Sequence, residues 1–265
     1  MKNKFLKGLV VSFALSVSGV ANAGIIGYYT GGDTNADVNQ STIDMLDLTG
    51  YSYTDISDVA NFDFDSLDVL FTARYDSPLL SQRASDLENW VSNGGVLLID
   101  DASRLNGYFF NAFTPTRTSI SSANVEVSNT ASSTLVNGRF GSITNTTLDG
   151  GRSSLHGGIS LNSLPAGATV HLTGTNTEQV AAFSFEFGLG DIYYSTIPGW
   201  CYLDFCDSIQ PFTSNYQDIY LPNLMDFGME LSAENRGVEV PEPSTLAIFA
   251  LSLMGLASRK FKKQA

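Results

Sequence analysis

Lysine is absent from most of this sequence, because all six lysines lie at positions 2, 4, 7, 260, 262 and 263. Between Gly24 and Val240, seven arginines stand against 26 acidic residues, which leaves a formal net charge of −19. A domain with this charge repels nucleic acid phosphates and anionic membrane surfaces, so a nucleic acid partner is not expected. Because no dense acidic run occurs, the acids are expected to form a solvated surface, with cation binding as the alternative.

Cysteine and histidine are also scarce, with two residues of each. Cys201 and Cys206 are close in sequence, and a local disulfide is the expected state of such a pair in an oxidising compartment. His156 and His171 are distant in sequence, so a metal site built on histidine and cysteine is not indicated. His156 lies beside two glycines and is expected to be a hydrogen-bonding loop residue, with a catalytic role as the alternative.

Long hydrophobic runs are missing too, since a bilayer-spanning helix needs about 20 apolar residues and both terminal runs are shorter. The first run, Leu9 to Val17, follows three lysines and precedes the small residues Ala21-Asn22-Ala23. This order is typical of a secretory signal peptide with its cleavage site. Residues 1–23 are therefore predicted to be removed after export by the secretion machinery, and the mature chain is predicted to begin at Gly24.

The second apolar run belongs to a tail with three ordered features. Pro241-Glu242-Pro243 comes first, the apolar residues 246–257 follow, and a basic cluster ends the chain. This tail resembles the PEP-CTERM sorting signal of Gram-negative bacteria, in which Pro-Glu-Pro marks the region processed by the membrane enzyme exosortase. The resemblance implies a sorting tail over residues 237–265, a transmembrane helix that anchors the protein transiently, and delivery to the cell surface or extracellular matrix. An ordinary short C-terminal anchor is the alternative.

The intervening residues 24–236 are predicted to form one secreted α/β domain. Strand and helix patterns alternate in its first half up to a buried strand at residues 96–100, which favours a parallel sheet with helices on its faces. Residues 114–147 are rich in Ser, Thr and Asn, and they are predicted to be a β-rich insertion or an extended surface loop. Strand patterns resume after residue 168, and a closing helix is predicted from Leu221, with Pro222 in its first turn.

Three segments carry a second resemblance: Leu67-Asp68-Val69-Leu70, residues 90–99 with their Asn-Gly-Gly stop, and Phe187 to Ser195 with a Gly-Leu-Gly hairpin. They are similar to the class I glutamine amidotransferase-like group of flavodoxin-like domains, which includes uncharacterised secreted proteins with PEP-CTERM tails. The resemblance implies a flavodoxin-like, mostly parallel sheet with helices on both faces. Active members place a nucleophilic cysteine after a central strand, but Asp101-Ala102-Ser103-Arg104 stands there, so amidotransferase activity is predicted to be absent.

Ligands of open parallel sheets bind beyond the carboxyl ends of the strands. The segments expected there supply four candidate ligand-binding residues: Asp33, Tyr75, Arg104 and Trp200. Arginine forks onto carboxylate or hydroxyl groups and flat rings stack on sugars, so exopolysaccharide binding is one hypothesis. A glycan hydrolase that uses Asp76 and Asp101 as paired carboxylates is a second. A structural role for all these side chains is the third hypothesis.

Residues 33–44 also alternate oxygen ligands as a calcium loop does, at Asp33, Asn35, Asp37 and Asp44. Val38 stands where a calcium loop has glycine, and Asp44 replaces the usual bidentate glutamate, so a polar turn is expected and no cofactor is required. The sequence thus predicts an exosortase-processed surface or matrix protein that is non-catalytic and binds exopolysaccharide. An extracellular glycan hydrolase and a calcium-dependent adhesive module are the alternatives.

Overall fold

A central mixed sheet organises the part of the chain that the computed structural model describes. That part comprises residues 24–30, 36–73, 82–100, 116, 118, 121–122, 124–150, 155–175, 178–199, 201–205 and 212–237. Within it, the side chains of residues 36–38, 121–122, 155–156, 204–205 and 212–213 are not described.

The described residues form thirteen β-strands and five α-helices. The strands are β1 (Ile25–Tyr29), β2 (Ser52–Asp55), β3 (Val69–Thr72), β4 (Val96–Asp100), β5 (Ser121–Ser122), β6 (Glu126–Val127), β7 (Asn137–Gly138), β8 (Gly141–Ser142), β9 (Leu155–His156), β10 (Ile159–Ser160), β11 (Thr169–Thr173), β12 (Gln179–Phe187) and β13 (Gly190–Ser195). The α-helices are α1 (Ala36–Thr49), α2 (Ala84–Ser92), α3 (Ser133–Val136), α4 (Phe212–Asn215) and α5 (Leu221–Asn235). Two π-helical segments, Cys201–Phe205 and Tyr216–Tyr220, complete the helical parts near the C-terminus.

The large sheet has a parallel half and an antiparallel half. Among the described residues it contains nine strands in the order β2-β1-β3-β4-β13-β12-β11-β6, and β10 also pairs with β12. The five strands from β2 to β13 run parallel to one another, whereas β12, β11, β10 and β6 add antiparallel pairs. The predicted parallel sheet is therefore confirmed for the first half of the chain and for β13, and the second half extends it with antiparallel strands.

The central strands are buried on both faces, which explains their continuous apolar sequences. Every residue of β3 and β4 is buried. Parallel strands that carry helices on both faces read as unbroken apolar runs instead of alternating patterns. Because of these unbroken apolar runs, β3 and β4 can be predicted from the sequence.

Helices cover both faces of the sheet, as predicted. On one face, Met45 and Leu46 of α1 and Leu224 of α5 pack against side chains from β1, β3 and β4. On the other face, Leu87 and Trp90 of α2 pack against the alternate side chains of the same strands. The closing helix begins where it was predicted, with Pro222 in its first turn.

The strands β12 and β13 form the predicted hairpin. Phe187 pairs with Gly190, so Gly188 and Leu189 form a two-residue loop. Gly188 has φ of +70°, a conformation that a residue with a side chain rarely adopts in such a turn. This hairpin reverses the chain and places β13 beside β4 as the last parallel strand.

The Ser/Thr-rich segment is anchored to the helical face of the domain. In its described part, residues 124–150, short elements alternate with turns, and Val125, Leu135, Ile143 and Leu148 join the core cluster under α5. This arrangement combines the two alternatives that the sequence left open, because the strands are only two residues long and the segment is nevertheless packed.

Asn223 on α5 is the main polar anchor of this segment. Its side chain is fully buried, and its amide nitrogen donates to the carbonyls of Leu135, at 3.2 Å, and Gly141, at 2.9 Å. Its amide oxygen accepts from the backbone N–H of Phe140 at 3.2 Å. One side chain therefore satisfies three backbone groups that a buried segment would otherwise leave without partners.

An ion pair reinforces this anchor. The guanidinium of Arg139 forms a bidentate pair with Asp226 of α5, with N–O distances of 2.7 and 2.9 Å. It also donates to the carbonyl of Thr49 at the end of α1. Burial, followed by the negative charge of Asp226, raises the pKa of the neighbouring Tyr51 to about 12. The contacts join the segment to two helices at once.

Replacing Asn223 with Leu tests whether this anchor holds the segment. The apolar side chain leaves the three backbone groups unpaired, so we expect the free energy of unfolding to fall by about 3 kcal/mol. Urea denaturation measures the loss. Asn61→Ala is the matched control, because Asn61 is exposed and bonds only weakly to Asp58, at 3.3 Å. Equal losses in the two variants would contradict the assigned role of Asn223.

Candidate functional site

The carboxyl ends of the parallel strands meet along one side of the sheet, here called the carboxyl edge. Thr72 of β3 pairs with Ile99 of β4, and Ser195 of β13 pairs with Asp100 of β4. The strand ends therefore converge as the parallel topology predicts. The loops that follow β1, β3 and β4 lie mostly outside the described residues.

The carboxylate of Asp100 is the centre of a buried hydrogen-bond network at this edge. Asp100 is 0% exposed, although it is the last residue of β4. The hydroxyl of Tyr216 donates to its Oδ2, and the hydroxyl of Tyr220 donates to its Oδ1 at 3.2 Å. The hydroxyl of Tyr193 lies 2.9 Å from that of Tyr220. Ser195 also forms a side-chain hydrogen bond with Tyr220.

Burial keeps the three tyrosine hydroxyls protonated. Desolvation raises the pKa values of Tyr193, Tyr216 and Tyr220 well above the ordinary value of tyrosine, and the negative charge of Asp100 raises them further. Each hydroxyl therefore keeps its proton across the physiological pH range. This allows Tyr216 and Tyr220 to act as permanent donors to the carboxylate.

The helical segment before α5 places these two donors. Tyr216 and Tyr220 begin and end a π-helical segment, and their ring centroids lie 5.3 Å apart. Pro222 follows two residues later and has no backbone N–H to continue a regular ladder of hydrogen bonds. The wide turn thus ends where the α-helix resumes, with both hydroxyls directed at the end of β4.

The loop after β13 closes over the network. A Cβ atom on Gly199 would lie 2.7 Å from the hydroxyl oxygen of Tyr216 and 3.1 Å from the carbonyl oxygen of Asp100. A side chain at this position would therefore force the loop away from the network. Ser195 contributes to the same closure, because its Oγ accepts from the N–H of Ile197 at 3.0 Å.

A carboxylate in this position supports structure instead of reacting with a substrate. A general acid or base must come within hydrogen-bond distance of the substrate, and Asp100 is sealed from solvent by protein groups. Within the described residues of the carboxyl edge, the strand-end polar groups of Asp100 and Ser195 are thus committed to the interior. These two groups therefore stabilise the edge from the interior.

Most of the residues predicted to carry function lie outside the described part of the chain. This holds for Asp33, Asn35, Tyr75, Asp76, Asp101, Arg104, Trp200, Cys206, Pro241, Glu242 and Pro243. His156 lies in β9, where it pairs with Ser121, and its side chain is not described. Cys201 is buried in the first π-helical segment, and its bridge to Cys206 stays a prediction.

Two of the four predicted calcium ligands lie on α1. Asp37 is in the first turn of the helix, and Asp44 is exposed two turns later, where Gln40 donates to its Oδ1 at 2.7 Å. Seven residues of helix separate the two by about 10 Å along the axis. Calcium binds its oxygen ligands at about 2.3–2.6 Å, so this separation is unfavourable for a shared ion.

The residues of the buried network are not predicted from the sequence. The pattern indicates Asp100 only as the end of an apolar strand, and it assigns no role to Tyr193, Tyr216 or Tyr220. Two signals were present: an acid at the end of an otherwise apolar strand, and two tyrosines four residues apart just before a helix with an early proline. An acid on a buried strand needs hydrogen-bond donors, and tyrosine supplies them without adding charge.

A second buried polar pair, His171 and Ser184, lies on the antiparallel half of the sheet. The Nδ1 of His171 accepts from the N–H of Ser132 at 3.2 Å, and its Nε2 lies 2.8 Å from the hydroxyl of Ser184. Because Nδ1 is an acceptor, the proton of the neutral ring is on Nε2, which donates to the serine. A ring in this tautomer cannot accept the serine proton, so the pair is not an activated nucleophile.

The fold and the C-terminal tail define the class of this protein: an α/β domain placed ahead of a C-terminal sorting signal. Residues 239–263 match the model of the PEP-CTERM protein-sorting motif. This motif marks a bacterial protein that is exported, processed by exosortase and sorted to the surface. No curated protein matches the chain.

No helix among the described residues is long and apolar enough to cross a membrane. The predicted transmembrane helix is therefore not found in that part of the chain, and residues 246–257, where it was placed, lie outside it.

Solved structures share only a distant likeness with the chain. An exo-β-1,4-mannosidase from Opitutaceae bacterium strain TAV5 has a TM-score of 0.44 and 10% identity, covering 90% of this chain and 40% of the mannosidase. A cytoplasmic protein from Salmonella typhimurium has a TM-score of 0.42 and 11% identity, covering 77% of this chain and 98% of that protein. A β-galactosidase from Bacillus circulans sp. alkalophilus has a TM-score of 0.41 and 10% identity, covering 82% of this chain and 31% of the enzyme. Scores below 0.5 carry no argument about function.

The buried His171 predicts a specific dependence of stability on pH. Burial lowers its pKa to about 4, whereas an unfolded histidine titrates near 6.5. The unfolded state therefore binds a proton first as the pH falls. The stabilisation that depends on neutral His171 is fully present above about pH 7. It is lost between about pH 6.5 and 4, which lowers the free energy of unfolding by roughly 3 kcal/mol in total.

Comparison with His171→Gln isolates this contribution, because the amide retains an acceptor for Ser132 and a donor for Ser184 without titrating. Urea denaturation from pH 7.5 to 4 should show a smaller loss of stability in the variant than in the wild-type protein. Parallel curves for the two proteins would show that His171 does not titrate as described.

Proposed function

We propose that this protein is a non-catalytic surface or matrix protein whose loops at the carboxyl edge bind exopolysaccharide. The observation that carries the proposal is the complete burial of Asp100 beneath Gly199 and its hydrogen bonds to Tyr216 and Tyr220. A strand-end carboxylate in an open α/β sheet is well placed for chemistry. Here it is committed to holding the edge together, so the edge supports binding loops better than it supports catalysis.

We also propose that the domain is flavodoxin-like, and the topology of the parallel half supports this. The order β2-β1-β3-β4-β13 is the order 2-1-3-4-5 of flavodoxin-like sheets when β13 is counted as the fifth strand. Helices α1 and α5 lie on one face and α2 lies on the other. In such sheets ligands bind in the crevice outside the carboxyl ends of the strands, where the candidate residues Asp33, Tyr75, Arg104 and Trp200 follow in sequence.

The point where the described chain ends, Gly237, also supports binding at the carboxyl edge. Tyr220, the residue before α5, donates to Asp100, so the helix begins beside the end of β4. The helix ends near the start of β13, where Asn235 donates to Asp191 at 3.1 Å. It therefore runs antiparallel to the parallel strands and brings the chain to their amino ends, here called the amino edge. The described chain therefore leaves the domain at the amino edge, opposite the proposed binding edge.

Binding is tested with the protein that begins at Gly24, mixed with insoluble exopolysaccharide from the producing bacterium. We expect the protein to sediment with the polymer, and we expect Trp200→Ala or Arg104→Ala to weaken binding by about tenfold, the effect of losing roughly 1.4 kcal/mol. Leu189→Ala is the matched control, because Leu189 is 70% exposed on the hairpin at the amino edge. Its binding should equal that of the wild-type protein.

The same incubation separates the proposal from its alternatives. Release of reducing ends that disappears in Asp76→Asn with Asp101→Asn would establish a glycan hydrolase and would overturn the non-catalytic assignment. Binding that requires calcium and is lost in Asp33→Ala would establish the adhesive module instead. Absence of sedimentation in every condition would remove exopolysaccharide as the ligand.

A further inference from the structure

The carboxylate of Asp68 joins the first and last described segments of the chain at the amino edge. Asp68 immediately precedes β3, and its side chain is 17% exposed. The backbone N–H of Ile25 donates to its Oδ2 at 2.6 Å. The guanidinium of Arg236, just after α5, pairs with its Oδ1 and also donates to the carbonyl of Ser232. One acidic side chain thus connects the start of β1 with the end of the closing helix.

Gly24 is buried next to this carboxylate. A Cβ atom on Gly24 would lie 3.0 Å from Asp68 Oδ2 and 2.0 Å from the Cε of Met229. A Cβ position is about 2.5 Å from the nitrogen of its own residue, so the nitrogen of Gly24 lies within about 5.5 Å of Oδ2. This nitrogen becomes a terminal amine only if the chain is cut between Ala23 and Gly24, which is the cleavage site predicted from the sequence.

We propose that Asp68 is the docking site for the new N-terminal ammonium group that signal-peptide removal creates at Gly24. Hydrolysis of the Ala23–Gly24 bond adds one water molecule, leaving a carboxylate on Ala23 and an amine on Gly24. The amine is protonated near neutral pH, because the pKa of an α-amino group is about 7.7–8.0. The proposal rests on the predicted cleavage site and is independent of polysaccharide binding.

Charge and burial favour this pairing. An opposite charge within about 4–6 Å favours the charged form of a group, and the half-enclosed position of Asp68 reduces screening by water. Oδ1 is occupied by Arg236, whereas Oδ2 faces the first residues of β1. The ammonium would therefore complete a three-part contact among the chain start, β3 and the residue that precedes the sorting tail.

The consequence is that cleavage increases the stability of the folded domain. Before cleavage, the nitrogen of Gly24 is an uncharged amide. After cleavage, it carries a positive charge beside a carboxylate that already holds both ends of the domain. Export and final stability are thereby coupled without any change in the fold.

The first experiment compares melting temperatures in three pairs of proteins that extend to Ala265. In each pair one protein begins at Gly24 and the other carries a Ser-Ala extension that moves the amine away. The first pair contains Asp68 and the second contains Asp68→Asn. We expect the natural terminus to raise the melting temperature by about 2–4 °C with Asp68 present, and by nothing measurable with Asp68→Asn. A third pair with Asp65→Asn is the control, since it removes an exposed acid of the same segment and should retain the full shift.

The second experiment uses the absence of lysine from residues 24–259 and needs no substitution. The N-terminal amine is the only primary amine in that range, so limited acylation followed by peptide mass spectrometry measures its accessibility against the lysines near the C-terminus. We expect the Gly24 amine of the folded protein to react about tenfold more slowly than the extended amine, the change that corresponds to roughly 1.4 kcal/mol. Equal acylation rates, or a melting shift that persists in Asp68→Asn, would overturn the proposal.

Discussion

The burial of the Asp100 carboxylate is the constraint on which the architecture of the carboxyl edge depends. A buried carboxylate without hydrogen-bond donors is strongly destabilising, so the fold must bring donors to the end of β4. It does so with Tyr216 and Tyr220, and this requirement fixes the wide helical turn before α5 and the close approach of Gly199. The start of α5, the end of β4 and the loop after β13 are thereby set by one ionisable group.

The two edges of the sheet carry different tasks. At the carboxyl edge, the polar ends of β4 and β13 turn inward and support the loops of the proposed binding surface. At the amino edge, Asp68 holds the first strand and Arg236, close to the PEP-CTERM tail. Helix α5 connects the two edges, since Tyr220, which precedes it, bonds to Asp100, and Asn235 at its end bonds to Asp191. The proposed binding surface and the point where the described chain ends therefore lie at opposite ends of one helix.

The sequence predicted the elements that depend on local pattern. The apolar runs of β3 and β4, the helical spacing of α1 and α2, and the glycines of the β12–β13 turn all have signatures within a few residues. The tyrosine network has none, because Tyr216 and Tyr220 reach Asp100 across 116 and 120 residues of sequence. The same reason applies to residues 124–150, whose packing depends on Asn223, more than 80 residues away. The candidate ligand residues, inferred from their place after strand ends, remain predictions.

Ultraviolet titration of tyrosine ionisation tests the buried network most directly. The chain contains eleven tyrosines, and we expect Tyr193, Tyr216 and Tyr220 to remain protonated in the folded protein well above pH 10. Unfolded tyrosine ionises near pH 10, so stability should fall above that pH and these three should ionise together with unfolding. Absorbance at 295 nm, followed alongside circular dichroism, records both events. Reversible ionisation of all eleven tyrosines near pH 10 in a protein that stays folded would show that the three hydroxyls are not buried around Asp100.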